Sequence, residues 1–563
     1  MPTQSPADDE SDDGFALSPS GPYRALKEFG LVVLCAAWVL LGTFGHDPWK
    51  TEDASAFGIA YEMVQRGDVV VPYLAGEPFV DRPPLVYAAA AATTMAFFPL
   101  LSMPDAARLA AALMLALTML LIAAAAMELH GREFRWMAVL LFIGSVGLWD
   151  RAHQLSPELG LSLGIAAALY GFALALRRPV GGAVVLGLGL AVAFLSRGFL
   201  GPLWLGLTAI ALPVASSNWR TRRYALTAIV ALLIALPLMC TWPLALQSRA
   251  PEHLTAWWAN QSPANYFFPL ARAPGDPLFL LKNLPWFAWP ALPLVLWTLW
   301  TRGRGFNGGL ANPGMQLPGM LALVMAVVVM LMAEPRAIVL MPMLVPLSLL
   351  GALEIDTLRR GFSGALDWFG ILTFGLVSAL VWWLWFDTQA YGISPAVARL
   401  FRDTEAGYQP SFRWGAFAVS VLLTLLWLLL VRPARRSNRR AILNWAAGMT
   451  LLWALFTTIW LPYLDSRRSY RTVAESVRTH LPREGCVASR NLGEAQRALF
   501  HFFAKLVTVR EEKSPIDACS ALLVQYGRLD AGAASPDRWQ PVWEGHRRGD
   551  DTEHYVLYLR KSP

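Results

Sequence analysis

From Leu31 to near Pro462 the chain alternates long apolar runs with short polar connectors. A run of about 20 residues is what a helix needs to cross a bilayer core of roughly 30 Å. The runs predict spans near 29–46, 106–128, 136–149, 157–176, 180–196, 199–216, 224–246, 278–300, 315–333, 336–354, 363–386, 412–431 and 441–463. A polar tail, residues 1–28, precedes them and carries the acidic stretch DDESDD. It lacks the basic flank and small-residue cleavage site of a signal peptide, so the first run is expected to remain as a helix.

The connectors sort by charge. HGREFR (130–135), RRP (177–179), NWRTRR (218–223), TRGRG (301–305), TLRRG (357–361) and RPARRSNRR (432–440) are basic, and read as cytoplasmic by the positive-inside rule. With the N-terminus inside, residues 47–83 fall outside while residue 130 must return inside. An odd number of crossings is therefore required between 84 and 128, where two apolar runs sit. Run 84–102 opens on Pro-Pro and breaks at the proline of LSMPDAAR, so it is expected to be juxtamembrane or re-entrant. The expectation is an α-helical polytopic protein with about 13 crossings and its C-terminus outside.

Past Asp465 the pattern changes. RSYRTVAESVRTHL and EAQRALFHFFA have helical periodicity, whereas CVASRNL, KLVTVR, CSALLVQY and HYVLYLR alternate or run apolar like strands. Residues 465–563 thus predict a small soluble α/β domain, following a transmembrane domain at 29–464 whose outside loop, 46–105, carries the site.

Composition agrees with this division. The chain is 55% hydrophobic and 15% charged, well below the roughly one quarter charged residues of soluble domains. Its formal charge of +7 does not point to nucleic acid, because the basic residues cluster between apolar runs as orientation signals do. Cys35 and Cys240 lie inside apolar runs and read as buried thiols. Cys486 and Cys519 lie in the C-terminal domain, where a disulfide is open to them if that domain meets an oxidising periplasm.

Charge held against a bilayer is costly and marks sites of work. Four outside connectors hold such groups. The 46–87 loop carries Glu52, Asp53, Asp81 and Arg82; DRAHQLSPE carries Arg151, His153 and Glu158. Segment 247–277 carries Trp257, Trp258 and Arg272 and leads to Lys282, and AEPR carries Glu334 and Arg336. Arg197 ends the run before LSRGFLGP continues. A cavity lined by carboxylates and guanidiniums at the membrane edge suits a lipid-linked phosphate, because the guanidinium fork donates two parallel hydrogen bonds. His46 and His153 read as interfacial rather than as ligands, and no spacing demands a metal, although a divalent ion between Glu52, Asp53 and Asp81 stays open.

The first loop resembles that of the bacterial glycosyltransferases of the protein O-mannosyltransferase and lipid A aminoarabinose transferase superfamily, of GT-C type. That loop commonly begins with Asp-Glu and ends with Glu-Lys-Pro-Pro; here the positions read Glu52-Asp53 and Asp81-Arg82-Pro83-Pro84. GIAYEMVQRGDVVVPYLAGEPF between them follows the family pattern, as do HQLSPELGL, with Glu158 for the usual aspartate, and LSRGFLGP, with Arg197 for lysine. An arginine often found three residues after the first acid is replaced by Ser55.

The resemblance, which covers roughly residues 25–360, implies a catalytic carboxylate at Glu52 with Asp53 beside it, and a donor-phosphate clamp at Arg82 assisted by Arg272 or Arg336. Asp81, Glu158, Arg151, Arg197 and Lys282 are further site candidates. It implies a multi-pass enzyme of the bacterial inner membrane. That enzyme would move a sugar from a polyprenyl-phosphate donor, undecaprenyl phosphate being the carrier, to lipid A or another envelope glycolipid on the periplasmic side. Protein hydroxyls are the alternative acceptor. A transporter of lipid-linked sugars is the rival of another class, but the inverted repeat it calls for is not evident. A non-catalytic scaffold is the third reading, motivated by the exchanged acids.

Overall fold

A computed structural model describes residues 22–261, 276, 278–333, 335–392, 410–432, 437–527, 538–547 and 552–561. Helices dominate up to Arg468. The first ten are α1 (Pro22–Leu40), α2 (Glu52–Arg66), α3 (Leu85–Phe97), α4 (Met103–Leu129), α5 (Arg135–Ile143), α6 (Pro157–Ala175), α7 (Pro179–Arg197), α8 (Leu200–Ala215), α9 (Arg222–Arg249) and α10 (Pro251–Asn260).

Among the described residues, six helices are long and apolar enough to cross a membrane, or up to eight if each bent pair counts as one span. That is a multi-pass membrane protein, with fewer full-length spans than the thirteen expected. Proline and glycine account for much of the difference. Expected span 136–149 is helical only to Ile143, then passes through Gly144 into short 3₁₀ turns. Nine residues reach about 14 Å, half a bilayer core. Span 278–300 breaks into Phe279–Phe287 and Ala291–Gly303, bent by 103° at a junction containing Pro290. Span 336–354 begins as a 3₁₀ turn, Ala337–Met343, and becomes α-helical only at Leu344–Ala352. Proline lacks the amide proton that a helix interior requires.

The tightest helix pair is α6 against α7. Methyl groups added at Gly164, Gly171 and Gly189 would lie 2.5, 2.4 and 2.5 Å from backbone nitrogens of the facing helix. Only hydrogen fits there, and small residues are how membrane helices approach this closely. The consequence reaches the site: Glu158, in the first turn of α6, is pressed against Arg197, the last residue of α7.

The first loop is folded rather than extended. α2 is followed by a two-strand hairpin, β1 (Tyr73–Leu74) and β2 (Glu77–Pro78), whose turn places Ala75 and Gly76 at φ 49° and 84°. Both ends of α3 return to this loop: Arg82, just before it, pairs with Glu52, and Asp105, just after it, accepts a hydrogen bond from Gly45 N at 2.9 Å.

The C-terminal domain is a five-stranded mixed sheet of order β4-β3-β5-β7-β6. Its strands are β3 (Val487–Arg490), β4 (Thr508–Arg510), β5 (Ala521–Gly527), β6 (Trp539–His546) and β7 (Glu553–Arg560), with helices Arg471–Arg478 and Glu494–Ala504. Four of the strands follow the alternation read from the sequence; β6, carrying Pro541 and Gly545, was not marked by it. Cys486 and Cys519 form a disulfide. The domain sits on the first loop. Arg471 pairs with Asp47 at 2.5 Å, Trp49 Nε1 donates to Asp465, Lys50 pairs with Glu553, and Ala54 lies within the domain's own apolar core.

Candidate active site

Two adjacent acids open α2, and the helix turns them toward different partners. Glu52 Oε2 accepts from Arg82 Nη1 at 3.1 Å, and Arg336 Nη1 lies 3.5 Å from Oε1. Glu52 and Arg82 keep 15% and 17% of their side-chain surface open to solvent, whereas Arg336 is 72% exposed. This pair can therefore meet a ligand from the open side. Burial opposes the charge on Arg82, but Tyr87, Glu158 and Glu52 surround it and hold it firmly protonated.

Asp53 is sealed. Its oxygens accept from Arg108 Nη2 at 2.9 Å, from Leu155 N at 2.9 Å and from Trp49 N at 3.3 Å. Arg108 completes the knot by donating to the carbonyls of His46 and Asp47. Burial alone would raise the Asp53 carboxyl; the Arg108 guanidinium outweighs it and holds it below the ordinary carboxylate range. Asp53, which the first-loop pattern sets beside Glu52 in catalysis, is 1% exposed and its acceptors are occupied; it ties the start of α2 to α4 and to the turn before α6.

Glu158 and Arg197 form a second pair, 3.0 Å apart, behind Arg82. Glu158 is 1% exposed, and its Oε2 accepts no hydrogen bond among the described residues. Asp81 accepts from Asn260 Nδ2 at 3.2 Å, and its carbonyl accepts from Gln261 Nε2 at 2.8 Å, tying the loop to the end of α10.

Arg151 stacks over the Phe287 ring, 5.4 Å away. Lys282 pairs with Asp276 at 2.7 Å on an exposed surface. Arg272 and Glu334 fall outside the described residues. Trp257 is buried in an aromatic cluster with Phe194, Phe199 and Trp242 rather than open to a sugar, although Trp258 beside it is exposed. His153 stacks on Trp453 and bonds to the Trp38 carbonyl, a packing role.

Nor do Glu52, Asp53 and Asp81 form a metal cage. Each carboxylate turns to its own partner, and among the described residues no three acidic, histidine or cysteine side chains gather to hold an ion.

Arg108 escaped the sequence reading, although LSMPDAAR contains it. In the second turn of an alanine-rich helix its visible mate is Asp105, 3.5 Å away in the same turn, whereas the partner it buries, Asp53, lies 55 residues earlier. Glu494 escaped as well: its domain gave class without function, yet its charge is felt by Asp81, Arg82, Glu52 and Arg336.

No family model matches the chain. Curated relatives do. It is 28% identical over 245 residues to the undecaprenyl phosphate-alpha-4-amino-4-deoxy-L-arabinose arabinosyl transferase of Serratia proteamaculans, a match covering 42% of this chain and 41% of that protein. It is 27% identical over 297 residues to the Pectobacterium atrosepticum protein of the same name, covering 50% and 51%. The chain thus spans about half the length of the curated relatives it matches. Among solved structures, ArnT from Cupriavidus metallidurans bound to undecaprenyl phosphate superposes with a TM-score of 0.67 at 17% identity, covering 95% of this chain and 98% of that one. The archaeal oligosaccharyltransferase AglB from Archaeoglobus fulgidus follows at 0.52 and 11%, covering 90% and 70%. The resemblance read from the first loop is thus present in sequence and in fold: the chain is similar in sequence to the undecaprenyl-phosphate aminoarabinose transferases and has the fold of ArnT.

Proposed function

We propose that the chain is a glycosyltransferase of the bacterial inner membrane. It would move a sugar from a polyprenyl-phosphate donor to lipid A or a related envelope glycolipid on the periplasmic side. The observation that carries this reading is the Glu52–Arg82 pair, half-open at one end of an apolar bundle, with Arg336 beside it and Glu158–Arg197 behind. The names of the relatives support the donor class, and the disulfide suits an oxidising compartment.

The residues divide the labour by charge. Attack at the anomeric carbon breaks its bond to the phosphate oxygen and leaves a polyprenyl phosphate carrying the displaced electron pair. Arg82 and Arg336 stand where that developing charge would be met, and guanidiniums already in place need no reorganisation as it forms. Glu52, which fixes both guanidiniums, would then face the acceptor. With a hydroxyl acceptor it takes the proton; with a phosphate acceptor, already charged, it keeps the nucleophile aligned. Arg197 holds Glu158 beside Arg82, adding a carboxylate that keeps the guanidinium in place.

The test is purified protein in vesicles with an undecaprenyl-phosphate aminoarabinose donor and lipid A, read by mass spectrometry of the lipid product. Glu52→Gln is expected to lower turnover about 100-fold or more, and Arg82→Ala to weaken chiefly donor engagement. Wild-type turnover by Glu52→Gln, or undiminished donor affinity in Arg82→Ala, would remove the assignment of that residue.

A further inference from the structure

The C-terminal domain supplies a side to this site. Its Glu494–Ala504 helix packs on α2, and contacts advance along both helices in the same direction. A methyl at Gly58 would lie 2.5 Å from Ala498 Cβ; Phe57 and Tyr61 meet Phe502; His501 Nδ1 lies 3.2 Å from Glu62; and Lys505 Nζ donates to Tyr61 at 2.8 Å. The helices are therefore parallel, and their first residues, Glu52 and Glu494, come to the same end. Arg497, one turn on, pairs with Glu77 of the first-loop hairpin at 3.2 Å, which fixes the helix in rotation.

Charge at that end is unevenly balanced. Glu52 has Arg82 and Arg336, and Glu158 has Arg197. Glu494 lies within electrostatic reach of Asp81, Arg82, Glu52 and Arg336, yet its exposed carboxylate accepts no hydrogen bond and joins no ion pair among the described residues. Among the described residues the Asp81 carboxylate receives one amide and no cation. Crowding by the surrounding protein and the nearby Asp81 and Glu52 carboxylates raise the pKa of Glu494, the sign of a carboxylate short of positive charge. The site therefore has a guanidinium side suited to phosphate and a carboxylate side suited to a cation. A ligand carrying both charges would complement it.

We propose that Glu494 is a specificity-determining residue that holds the ammonium group of an amino-sugar donor whose phosphate is held by Arg82. This rests on the glycosyltransferase reading above, and deepens it by giving the C-terminal domain a part in choosing the sugar. An ammonium on a carboxylate is a charge-assisted hydrogen bond; a hydroxyl in its place loses that assistance.

The experiment uses the full chain in phosphatidylethanolamine–phosphatidylglycerol vesicles with lipid A and two donors. One is undecaprenyl-phosphate 4-amino-4-deoxy-arabinose; the other is the arabinose analogue bearing a hydroxyl at that carbon. Wild type should prefer the amino donor. Glu494→Gln, nearly isosteric, should lower kcat/KM for the amino donor about 10- to 100-fold. It should leave the hydroxyl donor within about twofold, and Glu494→Asp should restore part of the preference. Equal loss on both donors would make Glu494 a base or a structural group and overturn the proposal, as would unchanged discrimination. Wild-type activity without preference would overturn it while leaving the glycosyltransferase reading intact. No transfer from either donor by wild type would overturn both.

Discussion

At the residue scale, Glu52 and Asp53 divide an accessible carboxylate from a sealed one within one helical step. Successive residues on a helix point about 100° apart, so adjacent acids at the start of α2 meet different surroundings. Asp53, with Arg108, ties three segments together, and breaking a buried pair by removing one partner costs about 3–5 kcal/mol. Arg108→Ala is therefore expected to lower thermal stability in detergent by that order, while Glu52→Gln, which keeps an acceptor for Arg82 and leaves Glu158 near it, costs less. The pH dependence follows from the depressed carboxyl of Asp53. Its stabilisation is fully present above the unfolded-state value of about 3.9 and is lost as pH falls through the lower folded value. Wild-type stability should accordingly decline on acidification below about pH 4, and Asp53→Asn should flatten that part of the profile. The sequence could mark both acids through the first-loop pattern. It could not assign them, because the deciding partner, Arg108, is remote in the chain.

At the element scale, legibility depended on whether helix length followed from composition. α4, α6, α7, α9, Pro313–Leu331 and Arg360–Tyr391 lie within a few residues of their expected spans, because uninterrupted apolar runs leave a helix as the one way to satisfy backbone groups in lipid. The runs that departed are those where proline or glycine interrupts the ladder. Hydropathy averages over such residues and does not see where they cut. Close packing was likewise invisible: GLSLGIAAALYG and GGAVVLGLGL announce small residues but not which face they serve. The α6–α7 contact gives a prediction. A side chain at Gly164 would meet Ala193 N at 2.5 Å and the Gly189 carbonyl at 2.7 Å, backbone atoms that cannot step aside. Gly164→Leu should force the helices apart, displace Glu158 from Arg197, and cut turnover about 10-fold or more with loss of monodisperse protein. Gly206→Leu, on α8 with nothing within 4 Å, is the control and should be neutral. Equal tolerance of both would mean that the contact does not hold the site.

At the scale of the whole molecule, the C-terminal domain is a brace for the helix that carries Glu52. Ala54 of α2 is buried in the core that this domain builds from Tyr470, Leu499, Phe500 and Leu557. Asp47, five residues before Glu52, accepts from Ser469 at 2.6 Å and from Arg471 at 2.5 and 3.0 Å. Loosening the domain should therefore be felt at the site, and the disulfide offers a way to loosen it without touching the interface. Cys486 and Cys519 are 33 residues apart, joining the residue before β3 to the turn before β5. In the chain-entropy account, a closed loop of that size contributes about 3–4 kcal/mol. Cys486→Ala with Cys519→Ala should lower the unfolding midpoint of the domain and reduce turnover in parallel, because α2 shares its core. Hydrogen exchange gives the decisive reading. Amides of α2 and of the Glu494–Ala504 helix should lose protection together, whereas those of α6 and α7, packed on each other, should keep theirs. Protection lost from the sheet alone, with α2 and turnover unchanged, would mean that the domain is carried by the helical bundle rather than supporting it.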